Sequence, residues 1–237
     1  MRSLLIGRRA AVAVIGTVTL LVTLAAVVLR GQADAATPPA PDAASHHGGH
    51  GVPNVPRTAG QIALHDQMRK LWEDHVTWTR LAIVTFASGS PGFDATAARL
   101  LQNQVDIGNA IKPFYGEAAG DQLTALLNDH ITIAVELLQA AKAGNTEAFN
   151  DAKARWYANA DDIADFLAAA NPRWWPRDTM RAAMRTHLDQ TLAEAAHELA
   201  GDYAASVADY EEIHQHILAM ADLLSFGIWR QFPGSVH

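Results

Sequence analysis

The chain contains no cysteine among its 237 residues. Disulfides, thiolate metal sites, a cysteine nucleophile and a lipid-modified cysteine are therefore excluded. The absence suits an oxidising compartment without identifying one. Proline is scarce: five of ten lie between Pro38 and Pro56, leaving only Pro91, Pro113, Pro172, Pro176 and Pro233 beyond. Long proline-free stretches with abundant alanine favour helix. A convincing strand alternation is missing throughout, and so are a phosphate-cradling glycine loop, GxSxG, HExxH and the kinase signatures. No Ser/His/Asp arrangement stands out. Positive charge is in short supply. The formal net charge is −7, and four arginines (Arg2, Arg8, Arg9 and Arg30) sit in the first 35 residues against Asp34 alone. The remainder holds 14 basic and 24 acidic residues, a charge of −10. Such a body repels phosphate, so no nucleic-acid partner is expected.

What is present begins with MRSLLIGRRAAVAVIGTVTLLVTLAAVVLRGQADAA. A basic start leads into an apolar run over 10–29, and Ala33-Asp34-Ala35 fits a small-x-small cleavage site. Residues 1–35 read as a signal peptide or an N-terminal membrane anchor, the run being just long enough to span a bilayer. Either way the body is expected to be extracytoplasmic, secreted or tethered through residues 10–29, because the arginines hold the N-terminus inside. Residues 36–58, with TPPAPDAASHHGGHGVPNVP, read as a flexible linker whose small residues and prolines cannot bury enough surface to fold. Its His46, His47 and His50 could hold a metal only loosely.

The domain over 59–233 reads as all-α, with six helices over roughly 60–88, 94–112, 117–143, 146–170, 178–200 and 202–230. Asp94, Thr146 and Asp202 are expected N-caps, while GSPGF, Pro113, Gly144-Asn145, NPRWWP and Gly201 are expected breaks. Hydrophobic content of 49% supplies one sizeable core. Short connections between long helices imply antiparallel neighbours, hence an up-and-down bundle.

LWEDHVTWTR, residues 71–80, puts a histidine where such a helix should bury an aliphatic side chain. His75 shares a face with Leu64, Met68, Leu71 and Thr79. His130 lies on the face of Leu123, Leu127, Ala134 and Leu137, and His187 on that of Met184 and Thr191. Asn159 falls between Trp156 and Ile163, Asn103 and Asp106 accompany Leu100 and Ile107, His214 follows Tyr210 and precedes Ile217, and His216 follows Ile213 and precedes Met220. In a helical hairpin, residues equidistant from the turn stand at the same height. A turn near 90–91 sets His75 opposite Asp106. The later turns set His130 opposite Asn159, and His187 opposite His214 and His216. Across the next helix pair Asn103 comes level with His130. The polar residues thus converge on one layer, to within about one helical turn of roughly 5 Å.

Buried polar groups must find partners. A single buried histidine is ordinarily a hydrogen-bonded core residue, and Trp72, Trp78 and Trp156 are ordinarily core. Several such groups at one height could satisfy one another, hold water, or bind a small ligand or a metal. Imidazole with carboxylate suits Zn, Fe, Cu or Mn. His75, His130, His187 and Asp106 are the ligand candidates, with Asn103, Asn159, His214 and His216 in support. The pairs Glu194/His197 and Glu211/His214 have the ExxH spacing of di-iron bundles, but the two further inward glutamates such sites need are not evident; only Glu73 and Glu136 offer themselves.

The strings LWEDHVTWTRLAI, RLLQNQVDIGNAIKPFYG, NDHITIAVELLQAA, RWYANADDIADFLAAANP and MADLLSFGIWRQFP resemble an uncharacterised bacterial family of small helical proteins, in the same order over about residues 60–233. Some members carry an acetylglutamate-kinase label, which the missing phosphate loop and α/β pattern do not support. The resemblance implies a helical fold and maps the family's motif histidines onto His75, His130 and His187. His214 and His216 fall where the family pattern has other polar residues, and the leader and histidine linker are additions to its shorter form. The expectation is an exported or tethered bundle binding a metal ion or small ligand at mid-height, with no reaction assigned. The alternative is a non-enzymatic structural or interaction bundle whose polar layer only fixes helix register.

Overall fold

The computed structural model describes residues 55–236. The expected leader, residues 1–35, and nearly all of the expected linker lie outside the described residues. Within them are six helices: α1 (Ala59–Ala87), α2 (Phe93–Tyr115), α3 (Glu117–Lys142), α4 (Thr146–Ala170), α5 (Arg177–Ala200) and α6 (Tyr203–Gln231). The described residues contain no strand. Nor do they contain a helix long and apolar enough to cross a membrane.

Each helix packs on the next, and α6 packs on α1, so the bundle closes into a six-membered ring. The odd helices all run one way and the even helices return. The apolar face of each points inward, burying Ile107, Ile163, Leu188 and Ile217 almost completely. The ring is latched where its ends meet, Thr58 Oγ1 donating to the Val236 carbonyl at 3.3 Å.

The boundaries follow local chemistry. Thr58 caps α1 by accepting from Gln61 N at 3.1 Å, while Gln61 Oε1 accepts from Arg57 N at 2.9 Å. Asp202 caps α6 as expected, accepting from Ala205 N. Two expected caps move. Asn145, not Thr146, caps α4 by accepting from Ala148 N. Gly92 occupies the cap position of α2, and Asp94 stands inside the first turn, favourable to the helix dipole. Helix α2 also runs through Pro113 to Tyr115. So near the C-terminus the proline forfeits one backbone bond, and Gly116, with φ of 88°, ends the helix instead.

Two glycines set helix spacing. A Cβ on Gly108 would stand 2.6 Å from the Gly120 carbonyl and 2.0 Å from Thr124 Oγ1, so α2 and α3 meet backbone to backbone.

Candidate functional site

His75, His130 and His187 come from α1, α3 and α5, the three parallel helices. Each lies fourteen residues before a left-handed glycine: Gly89, Gly144 and Gly201, with φ of 68°, 66° and 77°. At 1.5 Å per residue that is about 21 Å below the turn in every case, so the three rings stand at one height. The turns themselves are alike. Ser90 N, Asn145 N and Asp202 N donate to the carbonyls of Thr85, Ala140 and His197, each five residues back. This is the Schellman closure that glycine at this position permits.

All three rings are 3% exposed. They line one cavity of about 40 Å³, measured as the space open to the centre of a water-sized sphere, with Thr79, Trp156 and Thr191 among its other walls. That is room for roughly three waters, at about 10–15 Å³ each, or one very small ligand. The rings of His75 and His187 lie 5.6 Å apart, centre to centre. His130 stacks on Trp156, and Trp72 meets His75 edge-on.

Each histidine has its counterpart on the next helix. His130 Nδ1 donates to Asn159 Oδ1 at 2.8 Å, and Asn159 Nδ2 donates to the Leu126 carbonyl at 3.1 Å. On α2 two residues divide these tasks: Gln104 Nε2 donates to His75 Nδ1 at 3.3 Å, and Asn103 Nδ2 to the Leu71 carbonyl at 3.0 Å. On α6, His216 Nε2 donates to the Ala183 carbonyl at 2.9 Å. His187 Nδ1 has no partner, nor does Gln104 Oε1. Thr79 and Thr191 each donate to the carbonyl of the histidine four residues back, both at 2.8 Å.

Burial removes water from the imidazolium form, so these rings resist protonation. Desolvation pushes His75 down to about 3, with the nearby His130 adding to the effect. It pushes His130 down to about 4, opposed by the bond to Asn159. His187 is held well below the usual range by burial and by His75, His130 and His216. All three are neutral at pH 7, each with one basic lone pair.

The other expected residues divide. Asn103 and Asn159 are buried in the layer as helix-to-helix donors. Asp106 is not beside His75. It stands 3.6 Å from Arg99, accepts from Gln102 and lines a separate groove between α1 and α2. The turn centres on Gly89 rather than 90–91, which sets Gln104 opposite His75 and rotates Asp106 about 200° away. His214 turns outward to Glu73 Oε1 at 3.0 Å. Neither ExxH pair forms a site: Glu194 accepts from Arg80 at 2.6 Å, His197 pairs with Asp209, and Glu211 is exposed. Among the described residues, no group of three or more His, Asp or Glu side chains is drawn together closely enough to hold a metal as it stands. Gln104 is the site residue that periodicity alone missed. Its spacing from His75, twenty-nine residues, equals that of Asn159 from His130 and was the available signal. Comparison with known proteins finds no match to a family model, a curated protein or a solved structure.

Proposed function

We propose that this chain is an extracytoplasmic helical-bundle protein, secreted or tethered through residues 10–29, that binds a metal ion or small ligand among His75, His130 and His187. The leader's basic start and apolar run support the location. One observation carries the binding reading: three neutral, buried imidazoles, one from each of α1, α3 and α5, line a single cavity. No reaction is assigned, since the cavity lining contains no carboxylate, hydroxyl nucleophile with a base, or phosphate cradle.

The test is native mass spectrometry with elemental analysis on the full chain, purified without added metal or chelator. A bound mass or metal that disappears in His130→Ala supports the reading. An empty protein that no small-ligand or metal screen stabilises defeats it.

A second reading has an observation of its own. Asn103, Asn159 and His216 each donate across to the carbonyl of a neighbouring helix, which fixes the register of three helix pairs. On that reading the layer is structural, and His187→Leu leaves a folded and more stable protein with no binding to lose.

A further inference from the structure

The three hairpins share a numerical rule. From His75 to Gly89 to Gln104, from His130 to Gly144 to Asn159, and from His187 to Gly201 to His216, the steps are fourteen and then fifteen residues. The carbonyl four residues before each histidine (Leu71, Leu126, Ala183) receives a donor from the returning helix. Together with ring closure, this makes the bundle a threefold repeat of one helical hairpin, with the histidines as equivalent positions around a central axis.

Threefold equivalence narrows what the cavity could hold. A ligand in the cavity meets three imidazoles and no charge of either sign from the lining. The geometry points to a single divalent first-row transition metal ion held by His75, His130 and His187, one ring nitrogen each, with an open coordination position facing the cavity. This rests on the reading of the cavity as a ligand site.

Two particulars support it. Two imidazoles on one ion, with metal–nitrogen distances of about 2 Å, have ring centres about 5–5.5 Å apart; His75 and His187 are at 5.6 Å. Asn159 is locked by Leu126, so its oxygen faces His130 and takes the Nδ1 proton, leaving the Nε2 lone pair free. That is the usual outer partner of a metal-bound histidine. The third hairpin departs from this pattern, with His216 in place of an amide and His187 Nδ1 left without a partner. His216 spends its donor on Ala183 and offers His187 nothing.

Binding requires the rings to close on the axis, since as they stand the three are not near enough together to hold an ion. Gln104 Nε2 faces His75 Nδ1 at 3.3 Å and is held in that sense by the Leu100 carbonyl at 2.8 Å and Asn103 Oδ1 at 3.3 Å. Coordination by either nitrogen of His75 gives up that 3.3 Å contact, while the amide keeps its bond to the Leu100 carbonyl.

The test uses the full chain carrying His46→Ala, His47→Ala and His50→Ala, titrated with Co²⁺ and competed with Zn²⁺. The expected result is one Co²⁺ per chain with the intense visible band of a low-coordinate ion, displaced by Zn²⁺. Each of His75→Ala, His130→Ala and His187→Ala should weaken binding at least about 100-fold, and Asn159→Ala about 10–100-fold. His216→Asn, which gives the third hairpin the second's partner, should tighten it. Its tightening, with the parent stoichiometry, decides the matter if an alanine variant fails to fold. No saturable Co²⁺ or Zn²⁺ binding at 1:1, or binding indifferent to all three histidines, overturns the metal. An organic mass in the native spectrum that leaves with His130→Ala would do so too, while the ligand cavity itself stood.

Discussion

Asn159 holds His130 and the Leu126 carbonyl at once, its oxygen taking one and its nitrogen serving the other. The amide has no freedom left to turn, so it dictates the tautomer of the ring it faces. His130 carries its proton on Nδ1. Long-range ¹H–¹⁵N correlation on histidine-labelled protein at pH 7 should show Nδ1 protonated and Nε2 bare. In Asn159→Ala the ring loses that constraint and both tautomers should appear. Nε2 protonation in the parent would contradict the assignment.

The buried rings also set the response to acid. In the unfolded chain a histidine takes its proton near 6.5, whereas in the fold His75 does so only at about 3 and His130 at about 4. Between pH 6.5 and 4 the unfolded state binds more protons, so stability falls as pH falls. Each ring contributes about 3 kcal/mol of that loss by pH 4, at about 1.4 kcal/mol per pH unit. Glu194 works in the opposite sense, since burial raises its carboxyl to about 7 and its share is lost as pH climbs from 4.5 to 7. Two rings outweigh one carboxyl below 6.5. Urea midpoints at pH 7, 5.5 and 4.5 should decline in that order, and a flat series would contradict the burial argument.

Arg80 and Glu194 give a separate reading. The pair bridges α1 and α5 at 2.6 Å, with Arg80 also held by Ser206 Oγ and Ser206 bonded onward to Glu198. Arg80→Met removes the only cation among the described residues that pairs with the Glu194 carboxylate, which is 1% exposed. Glu194 must then stay protonated, so the destabilisation should be larger at pH 8 than at pH 6, reaching about 3–5 kcal/mol at the upper value. Glu194→Gln in the same background should abolish the pH difference. Equal losses at both pH values would show that the carboxyl is not the group responsible.

Gly108 and Gly120 are where two hairpins touch backbone to backbone. Gly108→Ala places its methyl against the Gly120 carbonyl, an atom that cannot move without its helix. A loss of about 3 kcal/mol is expected by urea unfolding, at the upper end for overpacking. Ala110→Gly, two residues along the same helix, should cost only about 1 kcal/mol of helix propensity plus a small packing loss. A smaller loss for Gly108→Ala would mean that α2 and α3 can separate freely.

Much of this was legible from residue order, because helix period and hairpin height are arithmetic. The positions of His130, Asn159 and His187 followed from counting outward from Gly144 and Gly201. The first hairpin failed the same count. Its turn holds Gly89, Ser90, Pro91 and Gly92, and choosing the wrong centre exchanged Gln104 for Asp106. Two residues on a helix are more than half a turn apart, so a small slip sends a ligand candidate to the surface. Caps were misplaced for a related reason: Asn145 and Thr146 are both competent, and only the backbone decides which oxygen reaches Ala148 N. Which nitrogen of each ring is spoken for depends on neighbours like Leu126 and Leu100, whose carbonyls no pattern advertises.

The latch between Thr58 and Val236 brings the two ends of the described body together at the pole opposite Gly89, Gly144 and Gly201. Where the chain starts is therefore nearly irrelevant to the architecture, since any of the six connections could serve as its beginning. A gene rearranged to start at Glu117 and to join Val236 to Thr58 through a short glycine-rich bridge should encode the same ring. It would also keep all three histidines at one height.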